Sequence, residues 1–215
     1  GSSPYGYYLP HMTYNAGEAF SRYWLHAPTL TSTFTSDYYY PDGTAAGQES
    51  LTLAAVNLAG PYPDVGTVAD GFFGCAATSA DNASIGTHYD QGGQLLVGYN
   101  PIAYDWQTVG YKAYLPRAVR TYAGSTSIAV QNPGVSTNRV DFYFYTPHGE
   151  TVYSYTVDIP GYGMEQINLA NHPQLGVGFA GSVEGAAQWL YDRVAVAYEA
   201  VGATDRYEPN DTRDQ

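Results

Sequence analysis

The segment Tyr8-Leu9-Pro10-His11 returns later in the chain as Tyr114-Leu115-Pro116-Arg117. The same displacement carries Tyr38-Tyr39-Tyr40-Pro41-Asp42-Gly43 onto Phe144-Tyr145-Thr146-Pro147-His148-Gly149. An aromatic strand running into a Pro-x-Gly turn therefore occurs twice in register, the mark of two tandem copies of one structural unit. After small changes of length, Asn57-Leu58-Ala59 answers Asn168-Leu169-Ala170, Phe73-Gly74-Cys75 answers Ala180-Gly181-Ser182, and 84–89 answers 193–198. A chain of 215 residues can give each copy its own apolar core. The expected division is a first repeat over 1–106, a second over 107–202, and an acidic extended tail over 203–215.

Inside each copy the period is two. In the run from Arg139 to Tyr145, Val140, Phe142 and Phe144 share one face and Asp141, Tyr143 and Tyr145 the other. The first copy puts Phe34, Ser36, Tyr38 and Tyr40 on the corresponding face, opposite Thr33, Thr35 and Asp37, with Ser36 weakening the pattern. Tyr153, Tyr155, Val157 and Ile159 alternate likewise, and the His148-Gly149 turn before them makes a hairpin. Further strands are expected at 21–27, 50–56, 74–78, 84–88, 94–99, 127–131, 164–168 and 194–200, while 185–192 has room for no more than a helical turn. About seven short strands per hundred residues, separated by turn residues, describes an all-β chain of two tandem immunoglobulin-like β-sandwich domains. The join over 99–112, which carries Tyr104-Asp105-Trp106-Gln107 and no Gly/Ser tract, is expected to pack against the sandwiches.

Charge and composition exclude several partners. A net charge of -12 with one lysine, Lys112, provides no basic stripe to displace counterions from nucleic acid, and disfavours an anionic membrane surface. No apolar run has the length needed to span a bilayer as a helix, so no membrane insertion is expected. No charged-then-apolar segment opens the sequence, which reads as a mature or trimmed form. Twenty-three tyrosines against seven phenylalanines imply many half-buried rings whose hydroxyls reach water, a carbonyl or a partner. The acidic, lysine-poor, Gly/Thr/Tyr-rich composition suits an extracellular or cell-surface protein.

The residues expected of an active site do not assemble in the sequence. Cys75 is the single cysteine and has apolar neighbours, so it reads as a buried small hydrophobe. His11, His26, His88, His148 and His172 lack zinc spacing, and Gly181-Ser182-Val183-Glu184-Gly185 places its serine one position early for a hydrolase elbow. The glutamates offer many pairings but no glycosidase signature. No cofactor is expected. Structural calcium is the one ion for which hard oxygen donors gather, at Asp81-Asn82 with Asp90 or within 205–214, without EF-hand spacing. Asn82 and Asn210 match the acceptor pattern for N-linked sugar.

Tyr114-Leu115-Pro116, Val130-Gln131-Asn132-Pro133-Gly134, the aromatic strand, the Gly149 turn and Gly178-Phe179-Ala180-Gly181-Ser182 together resemble the tandem Ig-like repeats of exported bacterial surface proteins. In the first copy Trp24-Leu25-His26-Ala27-Pro28 stands where the second has its Val-Gln-Asn segment. Separately, Tyr207-Glu208-Pro209-Asn210-Asp211-Thr212 resembles the opening of the pre-peptidase C-terminal domains that follow secreted bacterial enzymes and surface proteins. Both resemblances imply non-catalytic spacers, stalks, adhesive units or lattice subunits.

Three functions compete. The first is a structural subunit that self-associates into a homopolymer, forming a surface fibre, sheath or layer through sandwich edges and Tyr-rich faces. Its donor strands would be Pro4 to Leu9, with Tyr5, Tyr7 and Leu9 alternating, and the tail around Tyr207. The alternative for that first segment is the opening strand of its own domain. The second function is a carbohydrate-binding or adhesive module using Trp24, Trp106, Trp189 or Tyr38 to Tyr40 as stacking platforms for glycans. The third is an accessory domain of a secreted hydrolase.

Overall fold

Alternation decides which side of each central strand faces the core. The computed structural model describes residues 6–17, 19–59, 66–80, 84–91, 94–99, 102–103, 112–122, 124–188 and 195–201. In β3 (Ser32–Tyr39), Phe34, Ser36 and Tyr38 are buried and Thr33 is exposed. In β12 (Asn138–Tyr145), Val140, Phe142 and Phe144 are each fully buried. Ser36, the polar interruption, faces inward, and its hydroxyl lies 2.8 Å from Thr78 Oγ1. The pair supplies each other's hydrogen bond inside the core.

The remaining strands of the first sheet are β1 (Tyr7–Ala16), β2 (Ala19–His26), β4 (Ala45–Leu53), β5 (Leu58–Ala59), β6 (Phe72–Ala80), β7 (Ser84–Gln91), β8 (Gln94–Tyr99) and β9 (Ile102–Ala103). The second sheet adds β10 (Lys112–Arg120), β11 (Ser125–Gln131), β13 (Thr151–Ile159), β14 (Met164–Asn168), β15 (Phe179–Ala187) and β16 (Ala195–Val201) to β12. No α-helix occurs among the described residues; Leu169–Asn171 and Pro173–Leu175 are single 3-10 turns.

The first sheet runs β4-β3-β6-β1-β2-β7-β8 with β5 on β2 and β9 on β1; the second runs β13-β12-β15-β10-β11-β14 with β16 on β11. The chain is all-β and its strands pair antiparallel. β1 pairs with β2 only where Tyr14 and Ala16 meet Phe20 and Ala19, and β10 pairs with β11 only at Arg120 and Ser125. Each sheet therefore folds over at that hairpin into two layers with apolar residues between them. One core gathers Leu9, Leu25, Phe34, Tyr38 and Phe72, and the other gathers Ile128, Val130, Val140, Phe142 and Phe144. Burying a side chain of this kind contributes roughly 1.5–3 kcal/mol.

Local geometry repeats between the sheets. Gly43 N donates to Tyr40 O and Tyr40 N to Thr44 O, each at 2.9 Å; Gly149 N donates to Thr146 O at 2.9 Å and Thr146 N to Glu150 O at 2.8 Å. Tyr39 pairs with Cys75 as Tyr145 pairs with Ser182. At the opposite ends of the sheets, Val56 and Tyr162 both hold left-handed backbone, with φ of 58° and 59°.

Four expectations need correction. The counterpart of Ser84 is Ala195, not Arg193, because Ser84 pairs with His26 as Ala195 pairs with Gln131. The strand placed at 50–56 spans Ala45–Leu53, and Val56 belongs to the turn that follows it. Gly185 to Ala187 continue strand β15, where a helical turn had room, because Gly185 pairs with both Ala113 and Phe142. The counterpart of Leu58 is Met164, not Leu169: Leu58 pairs with His26 and Met164 with Gln131, at corresponding ends of β2 and β11. β14 is five residues long where β5 has two, so the recurring Asn-Leu-Ala letters fall at different places in the two sheets. The boundary at 106/107 and the tail over 203–215 lie outside the described residues.

Candidate functional site

The second sheet docks onto the outer face of the first. In β1 every residue from Tyr8 to Thr13 is buried, which a strand achieves only when both its faces are covered. Leu9 and Met12 enter the first core, whereas Tyr8 turns outward and joins Tyr39, Cys75, Ala77, Ala129 and Met164 in a separate apolar cluster. β1 packs there on β11 and β16. Tyr39 breaks its own strand's alternation for the same reason: the face that would meet solvent meets the other sheet.

The Pro160–Gly163 turn of the second sheet is the element that enters this junction. Its Tyr162 ring stacks on Tyr39, with centroids 5.1 Å apart and planes at 18°. Cys75 Sγ donates to Tyr162 O at 3.2 Å, Tyr8 Oη to Pro133 O at 3.4 Å, and Met164 N to Pro41 O at 3.1 Å. The approach is close enough that a Cβ on Gly43 would collide with the Gly161 carbonyl. Stacked aromatic pairs contribute about 0.5–1.5 kcal/mol beyond the area they bury. Burial pushes the Cys75 thiol far above its ordinary range, which leaves it a packing group and hydrogen-bond donor without nucleophilic character.

A group of titratable side chains lines the open side of the second sheet. Tyr153 Oη lies 3.1 Å from His172 Nδ1, and the Tyr155 ring meets the His172 ring edge-on at 5.1 Å. Burial, and secondarily the charge of Arg120, lowers the His172 pKa from 6.5. Burial raises that of Glu165 above 4.5, and burial together with the Glu165 charge raises Tyr155. The backs of the rings of Tyr153 and Tyr155 rest on Phe144 and Phe142, so this cluster closes the rim of the core.

Of the candidate assembly residues, Tyr7 pairs with Thr78 and Ala103 inside β1, and Leu9 is fully buried in the first core. Tyr7 to Leu9 are thus part of a strand of their own sheet, the alternative weighed against strand donation. Tyr5, Tyr207, Asn82 and Asn210 fall outside the described residues, as do Trp106, Trp189, Asp81 and 205–214. Among the platform aromatics, Tyr38 is fully buried with its hydroxyl donating to Glu49 Oε1 at 2.8 Å, and Tyr39 is covered by the junction. Neither offers a face to a sugar ring; Trp24 is 42% exposed. His11 is buried edge-on to Phe73 in the first sheet and His172 lies in the second. The described residues contain no cluster of three metal-ligating side chains. The sequence marks Cys75 as a buried apolar group, but not its meeting with Tyr8, Tyr162 and Met164. The available signal was Tyr8-Leu9 and Tyr38-Tyr39, neighbours that are both large and apolar and so cannot share one face.

Comparisons with protein-family models and with curated proteins give no match. Among solved structures the chain is similar to one described as the crystal structure of PBSX exported protein XepA, at 9% identity and a TM-score of 0.25, covering 90% of this chain and 85% of that one.

Proposed function

We propose that this chain is a non-catalytic structural protein of the cell exterior, a subunit of a surface fibre, sheath or layer built from two tandem Ig-like β-sandwich modules that associate through Tyr-rich faces. The observation that carries the reading is the junction itself. Tyr8, Tyr39 and Tyr162 are spent on holding one module against the next through ring stacking and main-chain hydrogen bonds. Adhesion between modules is the chemistry that such a cluster performs. The repeated pairing order and the matched turns at Gly43 and Gly149 support the tandem reading. The acidic, lysine-poor composition supports an exterior location. The test is electron microscopy of the untagged native protein at rising concentration. Regular filaments or sheets are the expected outcome; particles of one chain at every concentration would overturn the reading and favour a glycan-binding module centred on exposed Trp24, to be checked by glycan-array binding.

A further inference from the structure

The residues through which the second module docks on the first each have a counterpart in the other module, and these counterparts are exposed. On the docking face of the second module, Ala129 and Met164 are buried and Tyr162 stacks on Tyr39. Strand register assigns their counterparts in the first module. Leu25 pairs with Ala59 and His26 with Leu58, as Val130 pairs with Glu165 and Gln131 with Met164. Trp24 thus stands for Ala129 and Leu58 for Met164, while Val56 stands for Tyr162 with the same left-handed φ. Ala27 N donates to Asn57 O at 3.2 Å where Asn132 N donates to Gly163 O at 3.0 Å, which fixes the same alignment independently. Trp24, Val56 and Leu58 are 42%, 76% and 62% exposed.

The receiving face behaves in the same way. Tyr8 pairs with Ala77 in β6, and Tyr114 with Glu184 in β15. Tyr8 is fully buried beneath the second module; Tyr114 is 67% exposed. A Cβ on Gly43 would strike the docked turn, whereas one on Gly149, at φ 85° in the matching turn, would meet nothing within 4 Å. A β-branched residue held at positive φ, as Val56 is, strains the backbone. In the second module that geometry presents Tyr162 to its neighbour.

We infer that the chain polymerises head to tail, the Trp24/Val56/Leu58 face of one copy docking on the Tyr114/Tyr145/Gly149 face of the next in the manner of the junction inside each chain. The occupant of both exposed faces is a second copy of this chain. A contact between two different faces of one molecule is heterologous, and unless its rotation closes a ring it propagates as an open filament. The within-chain junction supplies one instance of the step and the between-chain contact repeats it. The inference rests on the structural-subunit reading and specifies how that subunit grows.

Two variants and their mixture test it. Val56→Asp with Leu58→Asp blocks the first face, and Tyr114→Asp blocks the second; all three positions are more than half exposed, so the cores are untouched. Sedimentation and electron microscopy of the unmodified chain and of each variant alone give the first readout, with each variant expected to raise the concentration needed for polymer at least about tenfold, equivalent to about 1.4 kcal/mol at the contact. Mixed in equal amounts, each variant retains the face that the other needs, so the expected product is a heterodimer that grows no further. That product also establishes that both variants are folded. Polymers formed by both variants as readily as by the unmodified chain, or a mixture that stays monomeric, would overturn the head-to-tail contact while leaving the structural-subunit reading in place. Failure of the unmodified chain to polymerise at any concentration would overturn both.

Discussion

Gly43 and Gly149 hold nearly the same backbone, φ 81° and 85°, in the same four-residue turn, yet only Gly43 is roofed, by the carbonyl of Gly161. The two positions separate a conformational cost from a contact cost. An alanine at either one bears the left-handed penalty of roughly 1–2 kcal/mol. At Gly43 its Cβ must also push back a main-chain atom of the docked turn, which adds an overpacking cost of about 1–3 kcal/mol. Gly43→Ala is therefore expected to destabilise the chain clearly more than Gly149→Ala in chemical denaturation. Equal costs would mean that the junction is not closed in solution.

The Ser36 hydroxyl is fully inside the first core with Thr78 Oγ1 as its neighbour at 2.8 Å. Ser36→Ala removes one partner and leaves the other buried, a loss of roughly 1–3 kcal/mol. Ser36→Ala combined with Thr78→Val replaces both hydroxyls by groups of similar shape and is expected to recover much of that loss. A double variant no more stable than the single one would show that the hydroxyl pair is not the unit of stability.

Much of this architecture was readable because alternation is a local property. Val140, Phe142 and Phe144 declare their face within seven residues, and the Pro-x-Gly turns at Gly43 and Gly149 declare where the strand ends. The junction was not readable, because it depends on which outer faces meet after folding. Tyr8 and Tyr114 occupy the same motif and the same strand position, yet one is fully buried and the other 67% exposed. The segment containing Tyr7 and Leu9 alternates as a donor strand would, and as an opening strand would; pairing with Thr78 and Ala76 makes it the latter. Asn57-Leu58-Ala59 and 168–170 share letters but not strand position, because β5 has two residues where β14 has five.

His172 makes stability depend on pH in a stated direction. Burial and Arg120 hold its pKa below 6.5 in the folded chain, so the unfolded chain binds the proton first as pH falls. The contribution is fully present above 6.5 and is lost as pH drops from there towards the folded value. Glu165, whose pKa burial raises, acts oppositely in its own window: its folded form keeps the proton above 4.5, so stability falls as pH rises through that window. His172→Gln is expected to flatten the decline in thermal midpoint below pH 6.5, and Glu165→Gln to raise the midpoint at neutral pH. An unchanged slope in His172→Gln would remove this histidine as the titrating group.

Asn132 organises the turn that carries Tyr162 to Tyr39. It is almost wholly buried; its Nδ2 donates to Ser136 O, Ile159 O and Pro160 O at 2.7, 2.9 and 3.1 Å, and its Oδ1 accepts from Gly134 N at 2.9 Å. Asn132→Ala removes the amide donor from three turn carbonyls, of which Pro160 O keeps the Gly163 N–H at 3.0 Å, at roughly 1–3 kcal/mol for each group left buried without a partner. Asn132→Asp goes further, since an ionised carboxylate would face those carbonyls with no proton to offer. Asp is therefore expected to be worse than Ala at neutral pH, and the gap should narrow in acid as the carboxyl regains a donor. Because Cys75 Sγ bonds to Tyr162 O, loosening the turn should also expose the thiol. Both variants are expected to react with a thiol reagent faster than the unmodified chain under native conditions, with Asp the faster at neutral pH. Labelling at the unmodified rate in both variants would separate the Asn132 network from the junction, leaving it a feature of the second sheet alone.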